Sequence, residues 1–518
     1  MATEAKKHDL ISPISGELIT KGDLVGGHND FARKNPLHNY QTFAHDWALE
    51  RLFVQDRKGA GLFLDPGLGK TRTTLTLIDS LFTLGVIKRV LILAPLRPVY
   101  TVWPAEIRLW GFKHSHIILH DQHEVAMSYD CKIELMNYEG LKKVHHLKRW
   151  DMIVLDESTA IKTWCAKRSK KKLKRPRTSP LRNRAQYVRL MLPNITKRLI
   201  LTGTPAANSL CDLHSQLYVV DDGESLGRTV TQFRAAYCYQ GGYQGKKWMV
   251  INERKKAIHD AIKDDVLRMD AETFLDMPKL VQHDIWVDMP APAKKQYARL
   301  KRDLVAELES GKVFAANASS AYIKCRQFAS GQIYATDDEG EKITKPGTIE
   351  EFEYHVSHKE KTIALIDLLE ELAGKPLLVF YWFKHELAEL KNHREFKTAP
   401  CIRGGMKPSD AQIVLDEWNA DKHKVLLAQW AAASHGLNMQ KGSCADIACY
   451  CLTDSAEGYE QAYRRVYRQG VKSRQIRIHR FLTRGTTDEV QLQRLTGKFE
   501  TQSDFLRALK QHAKGTAS

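Results

Sequence analysis

The chain has 518 residues, too many for one ordinary hydrophobic core, so its length predicts several domain-sized units. Hydrophobic residues make up 43% and charged residues 27%, which is the balance of a globular protein, and the net charge of +18 favours a polyanionic partner. No apolar run approaches about 18 residues and the first residues include no apolar core of a signal, so we expect neither a membrane span nor secretion.

The first part of the chain alternates short apolar segments with segments of helical periodicity. Residues 1–35 are polar and Gly-rich and are interpreted as an N-terminal extension, and residues 36–220 as a first lobe. The strand-like segments of that lobe are residues 60–65, 89–96, 116–121, 132–141, 151–157 and 198–205. This alternation predicts βαβ units and an α/β fold with a parallel sheet covered on both faces.

The pattern changes at residue 221 and returns near residue 356. Residues 221–355 are interpreted as a helical and aromatic insertion with a linker, in which residues 237–248 form an aromatic, Gly-rich loop or a small hairpin. Residues 356–500 form a second α/β lobe, and residues 501–518 a C-terminal tail. The strand-like segments of the second lobe are residues 376–383, 424–429, 445–452 and 474–482.

A glycine-rich loop follows the first strand of the first lobe, in the sequence LFLDPGLGKTRTT. Backbone N–H groups around Gly67, Leu68 and Gly69 suit phosphate oxygens, because the helix that follows starts at the loop. Lys70 is placed to reach the β- and γ-phosphates, and the hydroxyl of Thr71 to hold Mg²⁺. The first glycine of the usual pattern is replaced by Leu64, so the loop is interpreted together with the other motifs.

A second motif ends the strand at residues 151–157, where Asp156 and Glu157 follow four consecutive apolar residues. Acids at the end of a buried strand are costly unless they have a role. In a nucleotide-hydrolysing site the aspartate holds Mg²⁺ and the glutamate polarises the attacking water. Asp156 and Glu157 are therefore predicted to be catalytic.

A third motif is the arginine cluster in YEQAYRRVYRQG, which contains Arg464, Arg465 and Arg468. The segment is interpreted as a helix with Arg465 and Arg468 on one face. A guanidinium that reaches the γ-phosphate stabilises the transition state, so both residues are predicted to be catalytic, and Arg468 to contact the same ATP as Lys70.

A basic run occupies residues 167–184, with ten Lys and Arg residues and no acid. Such a run is either a solvated loop or a contact to a nucleic-acid backbone, and we interpret Lys170, Lys171 and Lys172 as contacts. Cysteines are sparse, which favours a reducing compartment. Cys444, Cys449 and Cys451 are interpreted as small apolar residues rather than zinc ligands.

Taken together, these motifs resemble the Swi/Snf-like ATPases of helicase superfamily two, over roughly residues 36–500. DPGLGKT is similar to motif I, LILAPLRPVYTVWPAEI to motif Ia, DESTAIK to motif II and LTGTPAANS to motif III. In the second lobe, LLVFYWF, SHGLNMQ and QAYRRVYRQG resemble motifs IV, V and VI. Seven motifs in order are much more specific than any one of them.

The resemblance implies two RecA-like lobes, ATP and Mg²⁺ as cofactors, and DNA as the partner. It implies that Gln41 is placed against adenine, and that Pro95, Thr202, Ser434 and Asn438 contact nucleic acid through motifs Ia, III and V. The expected activity is ATP-driven translocation along DNA, in a cytoplasmic protein of the compact kind found in phages and bacteria.

Some positions depart from the family pattern, and other functions stay open. Ser158 and Thr159 replace the common Ala-His pair of motif II, Ala433 and Ser434 replace a Gly-Gly pair, and Val471 replaces a glutamine. The alternatives are strand separation, action on RNA, and a nucleic-acid-binding scaffold that uses ATP only as a switch. A metabolic kinase fits poorly because it requires neither a second α/β series nor this charge.

Overall fold

The computed structural model divides the chain into two compact units, residues 1–276 and 277–518, and each is described by itself. The residues that it describes are 12–17, 24–120, 131–161, 183–203, 205–206, 209–241, 247–275, 277–309, 315–335, 353–433, 439–468 and 471–496.

Unit 1 is built around a seven-stranded sheet in the order β3-β4-β2-β5-β6-β1-β9, in which every pairing is parallel. The strands of this sheet are β1 (Gly59–Leu64), β2 (Val90–Ala94), β3 (His116–Ile118), β4 (Ile133–Asn137), β5 (Met152–Asp156), β6 (Lys197–Thr202) and β9 (Val266–Met269). A separate antiparallel pair joins β7 (Cys238–Gly241) to β8 (Lys247–Val250). The central strands are buried on both faces, which explains their continuous apolar runs.

Helices cover the sheet of unit 1 and connect its parallel strands. In the described residues they are Asp30–Lys34, Asn39–Leu49, Lys70–Thr83, Leu96–Tyr100, Val102–Trp110, Leu141–Val144, Arg184–Met191, Leu213–Asp221, Val230–Tyr237, Lys255–Ile262 and Ala271–Phe274. A π-helical turn, Glu50–Val54, continues the second of these helices.

Part of the N-terminal extension is fixed to the helix Lys70–Thr83 by one buried arginine. The Arg72 guanidinium donates hydrogen bonds of 2.6 Å to the carbonyls of Val25 and Asn35. It also stacks on the Trp110 ring at 3.5 Å from the ring centroid. Residues 24–35 therefore pack on this lobe, although their sequence shows little periodicity.

Unit 2 has a six-stranded parallel sheet in the order β10-β17-β16-β13-β15-β14. Its strands are β10 (Lys279–Val287), β13 (Leu377–Tyr381), β14 (Cys401–Ile402), β15 (Val425–Gln429), β16 (Asp446–Cys449) and β17 (Gln475–Thr483). A small antiparallel pair joins β11 (Gln332–Tyr334) to β12 (Tyr354–Val356). Its described helices are Ala291–Glu309, Ala315–Ala329, Glu360–Glu371, Lys384–Lys391, Arg394–Lys397, Pro408–Asn419, Trp430–Ala433, Ala456–Tyr463 and Thr487–Leu495.

Two strands come from the segment that the sequence interpretation assigned to an insertion, residues 221–355. β9 pairs with β1 at the edge of the first sheet, and β10 pairs with β17 at the edge of the second. Both are edge strands with mixed burial, so neither carries the continuous apolar run that marks the central strands.

The predicted fold class is confirmed: the chain is an α/β protein with two RecA-like parallel-sheet lobes in tandem. Cys444, Cys449 and Cys451 are free and buried in unit 2, in agreement with their interpretation as apolar residues. Across the described ranges, no helix is long and apolar enough to cross a membrane.

Candidate active site

The candidate site of unit 1 lies at the carboxyl edge of its sheet. Strands β2, β5, β6 and β1 are neighbours in that order, and all run in the same direction. Their carboxyl ends lead into Pro95, Asp156, Thr202 and the loop before Lys70, respectively. This edge is where open parallel sheets bind ligands, so four of the predicted motifs converge there.

The phosphate loop forms the turn between β1 and the helix Lys70–Thr83. Gly69 caps the helix in the left-handed conformation with φ 71°, and a Cβ there would lie 2.0 Å from Nε2 of Gln41. Both facts require glycine at this position. The Lys70 ammonium donates a 2.7 Å hydrogen bond to the Leu64 carbonyl, which holds it across the loop. Gly67 is exposed at the turn, whereas Leu68 is buried beneath it.

Gln41 is held over the phosphate loop. Its amide oxygen accepts a 3.0 Å hydrogen bond from the backbone N–H of His38, and its Nε2 approaches the Leu68 carbonyl at 3.4 Å. The structure therefore brings Gln41 and Gly69 together, 28 positions apart in the chain. Its predicted contact with adenine stays a prediction.

Two neutral donors hold Asp156 at the end of β5. The Trp103 indole N–H donates a 3.0 Å hydrogen bond to the carboxylate Oδ2, and the Tyr138 hydroxyl donates one of 2.8 Å to the Asp156 carbonyl. Desolvation, followed by the charge of Glu157, raises the pKa of Asp156 to about 6, while the Trp103 bond and the positive charge of Lys70 act in the opposite direction. The carboxylate is thus close enough to Lys70 for the two charges to interact.

Glu157 has an unusual backbone conformation. Its φ is 51°, in the left-handed region that residues other than glycine rarely occupy. Its carbonyl accepts a 2.9 Å hydrogen bond from the Ala160 N–H, which starts the turn Ser158–Ile161. Departures of this kind concentrate at functional sites, which agrees with the predicted role.

The end of β6 packs directly against the phosphate loop. A Cβ on Gly203 would lie 2.9 Å from Cδ of Pro66, so this approach requires glycine. Thr202, the last residue of β6, is fully buried. The end of β6 is therefore in contact with the loop that precedes Lys70.

The arginine cluster of unit 2 corrects one sequence-based expectation. The helix Ala456–Tyr463 ends before the arginines, so Arg464, Arg465 and Arg468 lie in the turn that follows it and not on one helical face. Arg464 pairs with Glu460, and Nε of Arg468 donates a 2.7 Å hydrogen bond to the Arg464 carbonyl. Desolvation and the like charges of Arg465 and Arg464 lower the pKa of Arg468 to about 9.

The donor set at the edge of the sheet suits a hard cation. No cluster of three or more His, Cys, Asp or Glu that could hold a metal occurs within the described ranges. Mg²⁺ does not need such a cluster, because it typically keeps several waters and binds one or two protein oxygens together with substrate phosphates. The Thr71 hydroxyl and the desolvated carboxylate of Asp156 fit that pattern.

Several of the predicted nucleic-acid contacts cannot be placed. Lys170, Lys171, Lys172, Ser434 and Asn438 lie outside the described residues. Pro95 caps the short helix Leu96–Tyr100, and Thr202 is buried, and both lie at the carboxyl edge of the first sheet. All of these contacts remain predictions.

Sequence reasoning missed the residues that support the acids. Trp103 enters the sequence interpretation only as part of motif Ia, and Tyr138 only as part of the strand-like segment 132–141. The available signal is weak: a tryptophan or tyrosine within an apolar segment usually indicates core, although its polar tip needs a partner when buried.

Comparison with known proteins decides the family. A sequence model of the SNF2-related domain matches residues 40–328, more than half of the chain. The chain belongs to the SNF2-related domain family. A model of the helicase conserved C-terminal domain matches residues 360–470. SNF2-family domains are ATPases that use ATP with a divalent metal.

Similar proteins include one from a phage and several from eukaryotes. "Putative protein p41" of Acyrthosiphon pisum secondary endosymbiont phage 1 is 29% identical over 88% of this chain and 96% of its own length. The ISWI chromatin-remodeling complex ATPase ISW1 of Saccharomyces cerevisiae is 25% identical, and the chromodomain-helicase-DNA-binding protein 1-like of Mus musculus 24%. The matches cover 89% and 90% of this SNF2-related chain, but only 40% and 49% of those two proteins.

Among solved structures, the SWI2/SNF2 ATPase core of Sulfolobus solfataricus in complex with dsDNA matches with a TM-score of 0.40 and 19% identity. The match covers 93% of this chain and 94% of that one.

Proposed function

We propose that this SNF2-related chain is a DNA-stimulated ATPase that couples ATP hydrolysis to movement along DNA. The observation that carries the proposal is the meeting of the phosphate loop and the acid pair at one edge of a parallel sheet. There the positive charge of Lys70 acts on the carboxylate of Asp156.

Different residues of unit 1 bind different parts of the nucleotide and its metal ion. The helix N-terminus at Gly69 and the ammonium of Lys70 bind phosphate, since both present positive charge to an anion. Thr71 and Asp156 would hold Mg²⁺, and the charge of the bound ion would neutralise the phosphate oxygens. Glu157 orients the attacking water, and Gln41 contacts the base.

Arg465 and Arg468 of unit 2 stabilise the charge on the transferred phosphoryl group. The lowered pKa of Arg468 supports this role, because a desolvated guanidinium next to two like charges gains from an approaching anion. A single arginine in this role is typically worth about 10³–10⁵ in rate.

Two observations favour DNA as the polymer along which the protein moves. The chain carries a net charge of +18, with a dense run of basic residues at 167–184. It is also similar to proteins named chromodomain-helicase-DNA-binding. Contacts to phosphates carry little sequence information, so movement along the backbone is expected to be independent of sequence.

The proposal is tested by measuring ATP turnover with duplex DNA, single-stranded DNA, forked DNA, RNA and no nucleic acid. We expect DNA to stimulate turnover more than RNA does. Stronger stimulation by RNA would redirect the function to RNA, and turnover that no nucleic acid changes would favour the scaffold alternative. Displacement of a strand from the fork would add strand separation to translocation.

A further inference from the structure

A buried polar bridge begins at Ser158, the residue that follows the acid pair. Its side chain is fully buried, and its hydroxyl donates a 2.7 Å hydrogen bond to the amide oxygen of Gln216. A buried hydroxyl requires such a partner, so the two residues depend on each other.

Gln216 extends the bridge to the segment after β6. Its amide nitrogen donates hydrogen bonds of 2.7 Å to the Pro205 carbonyl and 3.0 Å to the Asp212 carbonyl. Gln216 is itself fully buried in the helix Leu213–Asp221, and its amide uses both of its donors and its acceptor. The turn after the acid pair is thereby joined to Pro205 and Asp212 through one side chain.

The bridge holds the backbone next to the strained residue of the site. Glu157 lies at φ 51°, between two anchored neighbours. On one side the Tyr138 hydroxyl binds the Asp156 carbonyl at 2.8 Å, and on the other the Ser158 hydroxyl binds Gln216. The backbone sets the direction of the Cα–Cβ bond of Glu157, so both anchors restrict the region that its carboxylate can reach.

We propose that Ser158 and Gln216 are positioning residues for the hydrolysis step, acting through Glu157. This inference rests on the proposed function, because it assigns the bridge a part in ATP turnover. A hydrogen bond fixes a direction, whereas an apolar contact of the same size fills space without fixing one. The bridge should therefore act on the rate of the chemical step and leave ATP affinity unchanged.

The test compares Ser158→Ala, Gln216→Leu and the double variant with the wild type. Ser158→Ala is expected to lower kcat about 10-fold while the KM for ATP stays within about 2-fold, since the bridge does not touch the nucleotide. The double variant also removes the donor of the Pro205 and Asp212 carbonyls, so its melting temperature should fall below that of Ser158→Ala. Its kcat should stay within about 2-fold of that of Ser158→Ala, because the bridge is already broken in the single variant.

The chain offers a matched control beside the bridge. Ser215 is also buried on the helix Leu213–Asp221, and its hydroxyl has no hydrogen-bond partner among the described residues. Ser215→Ala makes the same change in size one residue away, so it should leave both kcat and KM unchanged.

The outcomes separate the inference from the function on which it rests. Wild-type turnover in Ser158→Ala, or a kcat that falls in step with the melting temperature from Ser158→Ala to the double variant, overturns the inference alone and reduces the bridge to packing. Absence of turnover in the wild type overturns the proposed function and the inference with it.

Discussion

The acid end of β5 in unit 1 and the arginine turn after the helix Ala456–Tyr463 in unit 2 hold buried charges of opposite sign in different surroundings. The Asp156 carboxylate lies beside the like charge of Glu157 but accepts a hydrogen bond from the Trp103 indole. Arg468 is placed beside two like charges, Arg465 and Arg464. Desolvation raises the pKa of Asp156 to about 6 and lowers that of Arg468 to about 9.

The protonation equilibrium of each group is thus shifted towards the neutral form, and a ligand of opposite charge would favour the charged form again. A divalent cation favours ionised Asp156, and a phosphate anion favours protonated Arg468. A nucleotide carrying a metal ion supplies both charges. Each region, taken by itself, therefore gains from a ligand of opposite charge.

The largest expected effect comes from the arginine turn. Arg468→Ala should leave ATP binding largely intact and lower turnover by about 10³–10⁵, because the guanidinium acts on charge that develops during the reaction. Equilibrium binding of a fluorescent ATP analogue and single-turnover hydrolysis separate the two steps.

Arg464→Ala is the matched control, since Arg464 is already paired with Glu460. Its decrease in turnover should be much smaller. Equal hydrolysis by Arg468→Ala and the wild type would remove Arg468 from the site, and the comparison between the two regions would then lose its functional meaning.

A smaller effect is expected at the acid end. Trp103→Phe removes the indole donor that favours the ionised form of Asp156, so the pKa of this carboxyl should rise above about 6. The ionised form binds the metal, so activity decreases as the pH falls through that pKa. The acid limb of the pH–rate profile should therefore move to higher pH, and the affinity for Mg²⁺ should fall about 10–100-fold.

Trp110→Phe tests whether the effect is specific. Trp110 lies on the same helix, Val102–Trp110, but its indole donates to Glu106. An equal shift of the pH profile in both variants would show that Trp103 acts through general packing and not through Asp156.

The smallest effect on the chemical step is expected from the basic run. Removing residues 167–182 spares Asn183, which caps the helix Arg184–Met191. If the run binds DNA, the slope of log affinity against log salt should flatten by roughly 0.7–0.9 for each phosphate that the run neutralises in the wild type. Turnover at saturating DNA should change little. A neutral linker of the same length is the control, and an unchanged slope would identify the run as a passive loop.

The sequence alone predicts the features that depend on uninterrupted runs of apolar residues. The central strands of both sheets were predicted because they are buried on both faces, and the phosphate loop and acid pair because each follows such a strand. The edge strands β9 and β10 were missed, since their burial is mixed. The arginines were assigned to a helix that ends one residue before the first of them, because spacing does not reveal where a helix terminates.

The side chains that hold Asp156 and Glu157 in place could not be predicted, because their contacts join residues that are distant in the sequence. Trp103 reaches Asp156 across 53 positions, and Ser158 reaches Gln216 across 58. Neither pair leaves a local pattern in a single sequence. The family resemblance located the acids but not the side chains that orient them.

The central claim is that the edge of the first sheet binds and hydrolyses ATP, and Lys70→Ala tests it most directly. ATP turnover is measured with saturating duplex DNA for the wild type, for Lys70→Ala and for Lys113→Ala, an exposed lysine in the same unit. We expect turnover by the wild type and by Lys113→Ala, and a decrease of at least about 10²–10³-fold in Lys70→Ala. Turnover by Lys70→Ala equal to that of the wild type, or none in any of the three, would contradict it.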